Sequence, residues 1–156
     1  YEAWCIGKLI FMLRGINLRD LLLLSSKDCC SDRVIYRRAK TGKFYSIQNL
    51  PEIQPLLMEV IGFEYVSSYE QRRKLVNTHL KKLGNSLGYQ VALTTYVFRY
   101  SYANIAKQLG YSKDLIAEAL GHEYGNSVTG IYLEHYDLQL IDSMNERIVQ
   151  TIKGGC

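Results

Sequence analysis

The chain has 156 residues, 47% hydrophobic and 22% charged, and carries a net charge of +4. That balance suits one domain large enough to bury its own core, and it excludes collagen, low-complexity and disordered classes. No apolar run, Leu21–Leu24 included, approaches the roughly 20 residues of a membrane span, so no membrane association is expected.

The first segment, Ala3–Leu13, is apolar and rich in helix formers. The chain opens inside it without a Met, which reads as a fragment of a longer protein. A break at Gly15–Asn17 leads to a short helix, Leu18–Leu24, and Ser25–Asp32 is polar and turn-like. Arg33–Arg38 and Phe44–Ile47 are β-rich around the turn Lys40–Lys43, the pattern of a hairpin. Asn49 and Pro51 mark the entry of a helix running to about Ile61 and stopping at Gly62. Tyr69–Leu83 has helical periodicity up to Gly84. Thr94 or Thr95 caps a helix to Leu109, closed by Gly110, and Ser112 caps Lys113–Leu120, closed by Gly121. A short helix is expected around Ser127–His135. Asp137 caps a last helix, in which Leu138, Ile141, Met144, Ile148 and Ile152 form one apolar stripe. The fold class expected is mainly α with a small antiparallel β-hairpin, in one domain over residues 1–156.

Charge is unevenly distributed. Arg33, Arg37, Arg38, Lys40 and Lys43 share a stretch with no acid, and so do Arg72, Arg73, Lys74, Lys81 and Lys82. Two such blocks point to a polyanionic partner. Cys5, Cys29, Cys30 and Cys156 form no CxxC and no Cys/His group of zinc spacing. Reduced thiols in the cytoplasm, with no metal and no cofactor, are therefore expected.

The most informative stretch reads Tyr96-Val97-Phe98-Arg99, Leu120-Gly121-His122 and Thr129-Gly130-Ile131-Tyr132. Together with Lys40-Thr41-Gly42 it resembles the catalytic domain of tyrosine recombinases, the phage-integrase family. That family's boxes are His-x-x-Arg, Leu-Gly-His about 23 residues on, and Thr-x-x-Tyr shortly after. Here Arg99 precedes His122 by 23 residues and His122 precedes Tyr132 by ten. The segment Leu13-Arg14-Gly15-Ile16-Asn17, followed by Asp20-Leu21, is similar to integrases of Bacteroides-type mobile elements.

The resemblance implies the DNA breaking-rejoining fold, a double-stranded DNA substrate and a bacterial, nucleoid-associated setting. It implies that Tyr132 attacks a phosphodiester, giving a 3′-phosphotyrosyl link and a free 5′-hydroxyl that later rejoin without metal or ATP. Arg99 would fork onto the non-bridging oxygens, a geometry lysine cannot copy. Lys40, on the hairpin turn, would protonate the leaving oxygen, and His122 would hydrogen-bond the phosphate. Arg37, Lys43, Arg72, Arg73 and Lys74 would contact the DNA backbone. It also implies a homotetramer on DNA through the C-terminal helix, whose apolar stripe could instead pack within its own chain.

Two positions depart from the family pattern. Asn17 stands where the first box has an arginine. Arg38, placed two residues before Lys40 on the same strand, and Arg14, three residues before Asn17, are the candidate replacement cations. Tyr96 replaces the second-box histidine; its phenol can donate to a phosphate but is a poor base near neutral pH. Tyr100 reads as structural, and Asp20 as a support for the first-box helix through an arginine pair. A helix-turn-helix regulator, read from Ile105 to Ile116, and a catalytically decayed DNA-binding integrase are the alternatives.

Overall fold

The computed structural model describes residues 1–30, 32–63, 67–122 and 136–152. Helix α1 (Glu2–Met12) is its centre. Apolar residues occupy nearly every face of this helix, so burial on one side only would waste most of them. Cys5, Ile6, Leu9, Ile10 and Met12 are almost fully enclosed, and the helix touches α3, α4, α5 and α7, defined below. At Gly7 a Cβ would collide with the Phe98 ring of α5, so glycine lets those two helices close on each other.

After α1 the backbone turns sharply. Arg14 and Gly15 both take positive φ, 54° and 65°. Asn17 then caps α2 (Leu18–Leu23), its side-chain oxygen accepting from the Arg19 amide at 2.9 Å.

A three-stranded antiparallel sheet follows in the order β1 (Cys29–Cys30), β2 (Arg33–Arg37), β3 (Phe44–Gln48). Val34 faces Ile47 and Tyr36 faces Tyr45 across β2 and β3. The two-residue period puts these four on the inner side, where the Tyr36 and Tyr45 rings stack at 5.6 Å. The outer side carries Arg37 over the Phe44 ring at 4.1 Å. Strand β2 ends at Arg37. Gly42, at φ 70°, donates to the Arg38 carbonyl at 2.8 Å and closes the turn. Lys40 therefore stands in the turn, and the strand alternation expected to put it beside Arg38 does not reach it.

Helix α3 (Gln54–Gly62) holds Pro55 in its first turn, where the missing N–H leaves no bond unmade. Helix α4 (Tyr69–Ser86) opens with a Ser68–Gln71 capping box. It runs through Gly84 where a stop was expected. A Cβ there would lie 2.9 Å from that of Leu93, so Gly84 is a close-packing glycine. The turn comes at Gly88, at φ 76°. Helix α5 (Thr95–Gln108) takes no side-chain cap from Thr94; the Thr95 amide donates to Asn77 Oδ1 of α4 at 3.0 Å. Ser112 and Asp137 cap α6 (Lys113–Ala119) and α7 (Leu138–Thr151) as their sequence predicts. The expected helix at Ser127–His135 lies outside the described residues, as does Cys156.

The stripe on α7 packs within its own chain. Ile141, Met144 and Ile148 are buried against the core, whereas Leu138 and Ile152 at its ends are exposed. Asn145, wholly buried among them, donates to the Met12 carbonyl at 3.1 Å. One turn earlier, Asp142 accepts from Arg14 and, at 2.9 Å, from Arg33. Burial pulls the Arg14 pKa below its ordinary value despite that partner.

Removing the carboxylate would leave Arg14, 4% exposed, as an uncompensated charge in the interior. Asp142→Ala should therefore lower stability by about 3 kcal/mol. Urea unfolding checks this through its midpoint, and a change below about 0.5 kcal/mol, the range of ordinary surface substitutions, would refute it.

Candidate functional site

Two glycines shape the site. Gly15 and Gly121 take φ of 65° and 72°, the left-handed region in which a Cβ is disfavoured. Space forbids a Cβ as well. At Gly15 it would sit 2.8 Å from Leu120 Cδ2 and 3.0 Å from Arg99 Cγ, and at Gly121 it would strike the Tyr45 hydroxyl end. In this conformation each glycine offers its carbonyl to a guanidinium. Gly15 accepts from Arg99, and Gly121 accepts from Arg38. Arg99 also donates to the Leu120 carbonyl at 2.8 Å.

The second turn of α5 delivers Arg99, and the end of β2 delivers Arg38. Asp20, buried on α2, takes the Ala39 amide at 2.8 Å and lies 3.9 Å from Arg38 Nε. It thereby holds the first residues of the hairpin turn; the arginine beside it is Arg38, and the segment it holds is the hairpin, where support of its own helix was expected. His122 follows Gly121 directly.

These side chains converge on a cleft of about 570 Å³ lined by Arg38, Arg99, His122, Asn17, Tyr96 and Tyr100, among others. Arg73 enters from α4 with Glu70 at 2.8 Å. Among the described residues, the hydrogen bonds of Arg99 go to main-chain carbonyls, which orient a cation without cancelling its charge. Partial burial, then the like charge of Arg38, lowers the Arg99 pKa. Partial burial, then the charges of Arg99 and Arg38, holds His122 below the ordinary histidine value. Such a cleft suits an anion with oxygens for two guanidiniums and one imidazole. Among the described residues no group of three or more His, Cys, Asp or Glu is placed to hold a metal ion.

Of the candidate residues, Arg38, Arg99, His122, Asn17 and Tyr96 come together. Lys40 is exposed on the hairpin turn and does not line the cleft. Arg14 turns inward to Asp142 and is unavailable as a replacement cation. Tyr132, with Thr129, lies outside the described residues.

The backbone-contact set divides. Arg37, Lys43, Arg73 and Lys74 are exposed. Arg72 is not. It shares the inward face of α4 with Val76 and Leu80, is 5% exposed, and lies 3.5 Å from Glu2. Burial pulls its pKa down to about 10. The whole basic block was expected to face a polyanion, but the helical period turns Arg72 inward with Val76 and Leu80, away from Arg73 and Lys74. Arg33 is likewise occupied by Asp142.

Sequence reasoning missed Tyr100. It lines the cleft and is 62% exposed, so it is no core tyrosine. Its placement one turn after Tyr96, with Arg99 adjacent, was the available signal.

The class defined so far is a mainly α domain with a small antiparallel sheet and a cationic cleft between α2, the hairpin and α5. Comparisons with protein-family models, curated proteins and solved structures found no match.

The His122 environment is testable by NMR titration. The free imidazole should titrate below the ordinary histidine value, and Arg99→Ala should raise it by removing a like charge. Dimethyl phosphate, whose single charge is constant near neutral pH, should raise it too. By linkage, its binding then tightens as pH falls through the interval between the free and bound values. An unshifted His122 in all three conditions would refute the shared cationic cleft.

Proposed function

We propose that this chain is a DNA strand transferase of the tyrosine-recombinase type, with the cleft as its phosphate clamp. The observation that carries the reading is the convergence of Arg38, Arg99 and His122 on one cleft. The family resemblance supplies the nucleophile, Tyr132, and the DNA breaking-rejoining core as the finer description of the fold. Tyr132 lies ten residues after His122. An extended chain of that length spans about 33 Å, enough to bring its phenol back to the clamp.

The proposed reaction exchanges one phosphoester for another. A free tyrosine has a pKa of about 10, so nearby cations must favour its phenolate. The phenol releases its proton to water, the phenolate oxygen bonds to phosphorus, and the bond from phosphorus to the 5′-oxygen breaks. Arg38 and Arg99 take the charge that grows on the non-bridging oxygens, and His122 donates to the phosphate. Lys40, brought over the cleft by movement of its turn, protonates the leaving 5′-oxygen. Attack by a 5′-hydroxyl reverses each step. Asn17 brings no charge, so Arg38 is the second guanidinium in this reading. Tyr96 offers a donor and no base.

Arg37, Lys43, Arg73 and Lys74 would follow the duplex backbone, an attraction that weakens steeply with salt. A tetramer on DNA, in a bacterial cytoplasm, belongs to the same proposal. The middle of the α7 stripe is already covered, so contacts through that helix would use its exposed end residues Leu138, Leu140 and Ile152.

A pool of duplex oligonucleotides of randomised sequence, each nicked beside one phosphate, tests the chemistry. The protein should form a covalent adduct that survives detergent electrophoresis. Tyr132→Phe should abolish it, and Arg38→Ala or Arg99→Ala should slow it by about 100-fold or more. Binding without any adduct would instead favour a regulator or a decayed integrase, and an adduct persisting in Tyr132→Phe would contradict the assigned nucleophile.

A further inference from the structure

Beside the guanidiniums the cleft presents an aromatic surface. Tyr96 and Tyr100 stand one helical turn apart on α5, with ring centroids 6.0 Å apart and planes inclined by 33°. They are 60% and 62% exposed, so core packing does not account for them. Arg99 projects into the same cleft, and Tyr69 of α4 lines it as well. Exposed rings grouped beside a cationic clamp form two chemically distinct surfaces, one for an anion and one for a flat apolar face.

A nucleotide has both parts, a phosphate and a base joined through one sugar. In an intact duplex the base faces are covered by their neighbours, and only backbone and groove edges are presented. Ring faces beside a phosphate clamp gain nothing from a fully stacked duplex. They gain from a base that has left the stack, because every base offers a π-face to an aromatic side chain. The volume, about 570 Å³, lies in the range of sites that take a molecule of nucleotide size.

We propose that Tyr96 and Tyr100 form a stacking shelf for an unpaired base of DNA whose adjoining phosphate is held by Arg38 and Arg99. The inference rests on the reading of the cleft as a DNA-phosphate clamp and adds a substrate preference: DNA carrying an unpaired base at the site of binding over fully paired duplex. Both rings line the cleft and every base offers a π-face, so the shelf selects pairing state and not sequence.

The test compares three DNA molecules at one fixed salt concentration: a paired duplex, the same duplex with a single bulged 2-aminopurine, and the corresponding single strand. Anisotropy reads affinity, and 2-aminopurine fluorescence reads stacking. The protein should prefer bulged over paired DNA by about tenfold and should quench the bulged base. The double variant Tyr96→Leu/Tyr100→Leu should lose both preference and quenching, whereas Tyr96→Phe/Tyr100→Phe should keep both. Both residues are exposed, and circular dichroism confirms that each variant folds. A preference that survives the leucine pair, or disappears in the phenylalanine pair, overturns the shelf. Arg99→Ala separates the two levels. If it weakens binding to all three DNA molecules while the tyrosines have no effect on preference, the shelf alone fails. If it weakens none, the phosphate clamp fails and the shelf with it.

Discussion

Arg38 and Arg99 meet at one cleft because two glycine carbonyls hold them there. Left alone, two guanidiniums in a partly water-excluded space repel each other, and side chains of this length would swing apart. The left-handed turns at Gly15 and Gly121 point main-chain oxygens at the two cations. These bonds fix orientation and leave the formal charge in place. The arrangement is consequently pre-organised for an anion; burial first, and the neighbouring like charges second, hold the Arg99 and His122 pKa values down. Any residue with a Cβ at either position would meet both a disfavoured φ and a side chain already in the space.

The rest of the fold supports those turns. Gly15 leaves α1 beside Arg14, and Arg14 is fastened to Asp142 of α7. The same carboxylate holds Arg33 on β2, the strand that leads to Arg38. One residue of the C-terminal helix thus ties the Gly15 turn to the strand that leads to Arg38. Asp20 adds a tie between α2 and the hairpin turn, and the Tyr36–Tyr45 stack presses the sheet against Gly121. Lys40, one residue past the tied Ala39 amide, is exposed.

How much of this was legible depended on whether a local signal existed. Helix α1 and the caps at Ser112 and Asp137 follow from short-range pattern, and they stand as expected. Gly84 misled because the same residue type serves chain termination and close packing; only Leu93, brought in by the fold, separates the two uses. Arg72 misled because a charge run counts residues and not helix faces. Arg14 and Arg33 looked available because their partner, Asp142, is more than 100 positions away. Arg38 had the right neighbourhood for the wrong reason. The alternation invoked for it stops before Lys40, and its entry into the cleft comes from Gly121 and Asp20. Tyr100 was hidden by its resemblance to an ordinary helical aromatic, and only its exposure shows otherwise.

The most direct measurement follows the Nε–H resonances of Arg38 and Arg99 by NMR as a short phosphodiester oligonucleotide is added. If the two glycine-held guanidiniums form one anion site, both resonances shift together along a single binding curve with one dissociation constant. Two unrelated curves, or a shift in one arginine while the other stays fixed, would contradict it.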